Sequence, residues 1–158
     1  MYKRIIKFYY YLNPVAFVLV NYLLLLFILF VFFGIPDYFF NIMSGVKNEA
    51  TTNLKPTELF ITTVIVAPLL ETFLFQYGII KSIVYLSDNK YKTQAIILSA
   101  MAFTLIHSYS IIYMIYAFIM GLFFGILYFT SLKKKLYPFL VIAFVHALFN
   151  FTVFMVNR

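Results

Sequence analysis

The chain has 158 residues, of which 65% are hydrophobic and only 11% charged, and its mean hydropathy is +0.98. A soluble domain is about half apolar and about a quarter charged, so this composition excludes a soluble globular protein; the apolar content also excludes an intrinsically disordered chain. The net charge of +7 is concentrated at the ends of apolar stretches, which is typical of membrane orientation and not of nucleic-acid binding. The sequence predicts an all-α, polytopic membrane protein without disulfides, since it contains no cysteine.

Five apolar stretches approach the ~20 residues that a helix needs to cross the hydrocarbon core of a bilayer. They are residues 14–33, 58–83, 93–107, 110–132 and 136–156, and the third is the shortest. With five crossings, nine of the 12 Lys and Arg residues fall on the side of the N-terminus, which predicts that the N-terminus is cytoplasmic. We expect one membrane domain over residues 1–158, in which residues 1–57 form an anchor helix and an outer loop and residues 58–156 form the helical core.

Three ionisable residues lie within these stretches and not at their ends: Glu71, His107 and His146. A charged carboxylate in mid-membrane costs about 2.5–3.5 kcal/mol on insertion scales, and such a residue is functional by default. Nothing on its own helix can neutralise Glu71, so its partners must come from other helices. The two histidines are the strongest candidates, although a single intramembrane histidine is equally often a helix-packing residue.

Polar neighbours extend this set at helical spacing. His146 and Asn150 are four residues apart and therefore share a helix face, one turn from each other. A Glu, two His and an Asn from three helices form a set that activates water: Glu or His accepts its proton, while His and Asn donate hydrogen bonds to the resulting oxyanion. Gly121 and Gly125 predict a close approach of another helix to the fourth stretch, more often within the bundle than in a dimer.

The residues also form three ordered motifs: Glu71-Thr72-Phe-Leu-Phe-Gln76, Phe103-Thr-Leu-Ile-His107 and His146-Ala-Leu-Phe-Asn150. Over residues 67–150 the chain resembles the family of CAAX proteases and bacteriocin-processing enzymes, the CPBP or Abi family of glutamate-type intramembrane proteases. The motifs of that family are Glu-Glu-x-x-x-Arg, Phe-x-x-x-His and His-x-x-x-Asn. Thr72 and Gln76 depart from it, because they stand where the family has a Glu and an Arg. Together with Phe103 they are expected to support the site.

The resemblance implies an intramembrane endopeptidase that cleaves a membrane-associated peptide or protein. In that reading Glu71 and His107 are catalytic and activate the attacking water, and His146 and Asn150 stabilise the oxyanion. No cofactor is expected; zinc held by Glu71, His107 and His146 is the less favoured chemistry. The expected partners are the lipid bilayer and a peptide or membrane-protein substrate, without nucleic acid. The family and the small size favour the inner membrane of a prokaryotic cell.

Two other functions remain open from the sequence. The same scaffold could serve a non-catalytic binding or immunity-type membrane protein, and the neutral pair Thr72 and Gln76 counts slightly towards that alternative. Proton or metal-ion transport would use the same Glu and His residues as a relay. Few polar residues extend such a path across the bilayer, and the sequence has no evident inverted repeat.

Overall fold

The computed structural model describes residues 9–34, 37 and 53–156, which form helices joined by turns and contain no strand. The helical units, in chain order, are α1 (Pro14–Gly34), α2 (Pro56–Leu86), α3 (Lys92–Leu105), α4 (Ile111–Lys133) and α5 (Pro138–Val156). All but α3, which has 14 residues, are long and apolar enough to cross a membrane. The prediction of an all-α, multi-pass membrane protein is confirmed. The basic residues 3, 4 and 7 and most of the predicted outer loop lie outside the described residues.

Local sequence signals mark the ends of these helices. The Asn13 side chain caps α1 by accepting a hydrogen bond from the Ala16 N–H at 2.9 Å, and proline follows at the first helical position. Ser110 caps α4 in the same way. The turn after α2 contains Asp88 and Asn89 with φ of 48° and 65°, a conformation that Asp and Asn tolerate better than most residues.

Helix α2 changes its winding along its length. Ile61–Val66 and Thr72–Ile79 are π-helical, and the α-helical turn Ala67–Glu71 separates them. In the first wide segment the Ala67 N–H bonds to the carbonyl of Thr62, five residues earlier. Glu71 is therefore the last residue before the helix widens again. Wide turns of this kind often occur at functional sites.

Helix α4 packs closely on α3 because two glycines remove the side chains between them. A Cβ atom built on Gly121 would lie 2.8 Å from the Cα of Ala100, and one built on Gly125 would lie 2.7 Å from the Cγ2 of Ile96. Both glycines are buried. The expectation that this pair serves packing within the bundle is confirmed.

Gly121→Ala is expected to lower the free energy of unfolding by about 1–3 kcal/mol, because the added methyl meets backbone and forces the two helices apart. The measurement is thermal unfolding in detergent. Gly34→Ala is the matched control: there the added Cβ meets only the side chain of Phe30, which can move aside, so a smaller loss is expected. An equal loss at both positions would contradict the close α3–α4 contact.

Polar contacts fix α1 against the rest of the bundle. The hydroxyls of Tyr22 and Thr152 are 2.6 Å apart and join α1 to α5. Lys134, in the turn after α4, donates hydrogen bonds to the carbonyls of Tyr10 and Leu12 at 2.6 and 3.0 Å. The N-terminal helix is thereby held near its middle and through the residues that precede it.

The turns between the helices differ in charge. The turn between α2 and α3 and the turn between α4 and α5 carry lysines, whereas the turn between α3 and α4, residues 106–110, carries none. Because the chain has no cysteine, single cysteines can report this topology. We expect a membrane-impermeant maleimide to label Ser108→Cys in intact cells and to label Thr93→Cys only after permeabilisation. The opposite pattern would reverse the predicted orientation.

Candidate active site

Three ionisable side chains from separate parts of the chain meet inside the bundle. Oε2 of Glu71 lies 3.9 Å from Nε2 of His107 and 3.8 Å from Nε2 of His146. The side chains of Glu71 and His107 are 19% and 15% exposed, and that of His146 is 3% exposed. The structure thus brings together the three ionisable residues that the sequence singled out, and access to them is from the side of Glu71 and His107.

His107 lies beyond the end of a helix, whereas the sequence predicted that it is the last residue of a membrane span. Helix α3 ends at Leu105, and the His107 N–H bonds to the carbonyl of Thr104, three residues earlier. This tighter turn ends the α-helical hydrogen-bond pattern. The rings of Phe103 and His107 nevertheless pack 4.4 Å apart.

The contacts of His107 define which of its nitrogens carries the proton. Its Nδ1 lies 2.8 Å from the backbone carbonyl of Phe103. Since a carbonyl can only accept, Nδ1 must be the protonated nitrogen in this hydrogen bond. In the neutral imidazole Nε2 then carries a lone pair, and this basic nitrogen faces Glu71.

His146 is enclosed by aromatic rings. Its ring centroid lies 4.9 Å from that of Phe124 and 5.9 Å from that of Phe103. Its Nδ1 is buried and has no hydrogen-bond partner among the described residues. Nε2 is therefore the nitrogen through which His146 meets the polar side of the site, next to the Glu71 carboxylate.

The distances between these groups allow a water molecule that bridges them from one side. A direct N–H···O hydrogen bond spans about 2.7–3.2 Å, so 3.8 and 3.9 Å are too long for one. Polar groups at such separations are commonly bridged by water. A water molecule that lies beside Oε2 and an Nε2 atom can form hydrogen bonds with both groups.

Asn150 is tied to the wide segment of α2. Its Nδ2 donates a 2.8 Å hydrogen bond to the carbonyl of Thr63. This carbonyl lacks a helical donor, because the Ala67 N–H bonds to Thr62 and Pro68 has no N–H. A primary amide has two N–H groups, so one of them and the side-chain oxygen remain for other partners. Asn150 therefore fixes α5 beside α2, one turn from His146.

Thr72, the residue after Glu71, and Gln76, four residues further along, are fully buried. The hydroxyl of Thr72 and both polar atoms of the Gln76 amide have no hydrogen-bond partner among the described residues. Buried polar atoms are normally satisfied by protein or by ordered water. The predicted supporting pair thus lies in the interior beside the site, where the family motif has two charged residues.

His107 has two tyrosine neighbours that the sequence alone did not single out. Tyr113 stacks with the imidazole at a centroid distance of 6.0 Å, and Tyr109 packs edge-on at 6.2 Å. Burial, and after it the negative charge of Glu71, raise the pKa of Tyr109 above its ordinary value. Tyr109 therefore stays protonated as a hydrogen-bond donor. With 14 tyrosines in the chain, most of them typical of interfacial anchors, spacing alone did not distinguish these two.

The three ionisable side chains are of types that bind zinc, but their atoms lie farther apart than the ligand atoms of a zinc site. One carboxylate and two imidazoles form a known zinc ligand set, with bonds of about 2.0–2.1 Å that bring ligand atoms to about 3.3 Å from each other. Here the carboxylate oxygen is 3.8 and 3.9 Å from the nitrogens. Among the residues that the structure describes, no group of three or more His, Cys, Asp and Glu side chains is arranged to hold a metal.

Fold and site together define a multi-pass membrane protein with a carboxylate and two imidazoles enclosed by its helices. The family model described as type II CAAX prenyl endopeptidase Rce1-like matches residues 53–152, which include most of α2–α5. The chain belongs to this Rce1-like family. The family resemblance drawn from the motifs is confirmed, and α1 lies outside the matched range. No curated protein and no solved structure matches the chain.

Proposed function

We propose that this protein is an intramembrane endopeptidase that cleaves a membrane-associated peptide or protein with water activated by Glu71 and His107. The observation that supports this proposal most directly is the convergence of Oε2 of Glu71 with Nε2 of His107 and Nε2 of His146, at 3.9 and 3.8 Å. Family membership supports the same kind of activity. These three groups supply hydrogen-bond acceptors and a donor for the chemistry.

A water molecule that lies beside these groups donates one hydrogen bond to the Glu71 carboxylate and one to the lone pair of Nε2 in neutral His107. Both partners accept, so the electron density of the water oxygen is directed away from them, towards an incoming peptide carbonyl. The oxygen attacks the carbonyl carbon, a C–O bond forms, and the proton leaves to Glu71. His107 holds the second hydrogen of the water during this step.

The negative charge that develops on the carbonyl oxygen requires hydrogen-bond donors. With the proton of neutral His146 on Nε2, that nitrogen donates to the oxyanion, and the second N–H of Asn150 is the other donor. The tetrahedral intermediate then collapses, the C–N bond breaks, and the leaving amine takes the proton held by Glu71. Atoms and charges balance with water as the only co-reactant.

We further propose that this reaction needs no metal ion. The carboxylate and the two imidazoles supply a proton acceptor and hydrogen-bond donors by themselves. In the alternative chemistry the same three side chains would hold zinc and the metal would supply a Lewis acid. Metal analysis of the purified protein distinguishes these mechanisms: stoichiometric zinc, together with loss of cleavage on chelation, would overturn the metal-free mechanism.

A comparison of protein ends tests the proposed function whatever the substrate is. Wild type and Glu71→Gln are expressed to equal levels in the native membrane, and the protein N-termini and C-termini generated in each are compared. New ends that occur only with wild type would establish the protease and identify its substrate. Indistinguishable profiles, with both proteins folded and abundant, would overturn the proposal and favour a binding or immunity protein on this scaffold.

A further inference from the structure

The imidazole of His107 depends on neighbouring groups for its orientation. Its backbone lies in the turn after α3, so no regular helix fixes its side-chain direction. The hydrogen bond to the Phe103 carbonyl holds one edge of the ring. Two aromatic rings pack against it: that of Phe103 is tilted by 36°, and that of Tyr113 is stacked at 28°.

Tyr113 is itself fixed at both its backbone and its ring. Its N–H donates to the side chain of Ser110, the residue that caps α4, at 3.1 Å. Its ring stacks on Tyr116 at 5.4 Å and 30°. Tyr116 in turn packs edge-to-face against Phe33 of α1 at 5.2 Å. A continuous row of rings therefore runs from His107 to the N-terminal helix.

We propose that Tyr113 is a positioning residue for His107: its ring, supported by Tyr116, keeps Nε2 of the imidazole directed at Glu71. This inference deepens the proposed function and rests on it for its catalytic consequence. The ring and not the hydroxyl carries the effect, because Tyr113 meets His107 and Tyr116 through its faces. It also gives α1, which lies outside the matched family range, a part in organising the site.

The test compares Tyr113→Phe, which keeps the ring, with Tyr113→Leu, which removes it. The chain has only two histidines, so ¹⁵N-histidine NMR in detergent resolves and assigns both imidazoles. We expect Tyr113→Leu to shift the His107 nitrogen signals towards a mixture of tautomers and to lower kcat by about tenfold to a hundredfold with little change in KM, since displacements near 1 Å have such effects. Tyr113→Phe is expected to match wild type in both readouts.

Tyr128→Leu is the matched control, because it removes a different tyrosine of α4, which is buried and packs on Tyr77 and Phe129, away from His107. Its His107 signals should equal those of wild type. Unchanged signals in Tyr113→Leu, equal shifts in Tyr128→Leu, or a Tyr113→Phe variant as impaired as Tyr113→Leu would each overturn the proposal.

Two further measurements keep the proposal open to refutation. If Tyr113→Leu does not fold, Tyr116→Leu removes the support one ring further away and should move the same His107 signals by a smaller amount; no movement would overturn the proposal. If wild type cleaves nothing, the proposed function fails, while the NMR comparison still decides whether Tyr113 positions His107.

Discussion

Glu71→Gln is expected to lower the rate of peptide cleavage by about a thousandfold or more while the protein stays folded. The amide has the size of the carboxylate but accepts no proton, and a positioned general base contributes about 10²–10⁴-fold. The histidine nitrogens lie 3.8 and 3.9 Å from Oε2, so the substitution breaks no short ion pair. The measurement is the initial rate on the substrate found by comparing protein ends, with size-exclusion elution and thermal unfolding in detergent as the test of folding.

Glu58→Gln provides the control for this substitution. Glu58 lies on the same helix, is exposed, and accepts a hydrogen bond from the Lys55 N–H at the start of α2. Gln can accept the same bond, so this variant should retain the activity of wild type. Full activity of Glu71→Gln would exclude Glu71 as the proton acceptor. Aggregation of that variant would mean that its inactivity reports misfolding and not chemistry.

The convergence of the three ionisable residues could be predicted because the membrane leaves few alternatives. A carboxylate at depth must face a partner or a water-filled cavity, and only two histidines were available to Glu71. The relation of His146 to Asn150 was also predictable, since both lie on the regular helix α5, where residues four apart share a face. Here local geometry and the cost of burying charge point to the same residues.

The winding of α2 could not be predicted in the same way. Its wide turns expose carbonyls that other helices satisfy: Asn150 donates to the carbonyl of Thr63, and Ser99 donates to that of Phe75. These partners lie far along the chain, so the pattern depends on tertiary packing. Pro68, which lacks an N–H, is the one local indication in the sequence. Asn150 therefore also ties α5 to α2 through the carbonyl of Thr63, a contact that its spacing from His146 did not reveal.

The end of α3 was predicted two residues too late for a related reason. Apolar composition continues through Ile106, so hydropathy alone extends the span to His107. In the structure the turn tightens after Leu105, and the His107 side chain bonds back to Phe103. Hydropathy measures the preference for the membrane, whereas the helix end is set by backbone hydrogen bonds that it does not detect.

Restoring either charged residue of the family motif alone is expected to destabilise this protein strongly. Thr72 and Gln76 are fully buried, so Thr72→Glu or Gln76→Arg would place a single charge in the interior. An uncompensated buried charge costs about 3–5 kcal/mol. The double variant should recover part of that loss, because the two charges lie one helical turn apart and can pair. The measurement is the free energy of unfolding in detergent for all four proteins, read as a double-mutant cycle.

Ser82→Glu and Leu86→Arg form the matched control, since they place the same charges at the same spacing on an exposed part of α2. Each of these is expected to change the free energy of unfolding by no more than about 0.5 kcal/mol. Additive losses in the buried pair would contradict the idea that positions 72 and 76 act together. A favourable coupling would show that a neutral pair here replaces an ion pair without a change of net charge. The variant motif would then be compatible with the family fold and with the Glu71 chemistry beside it.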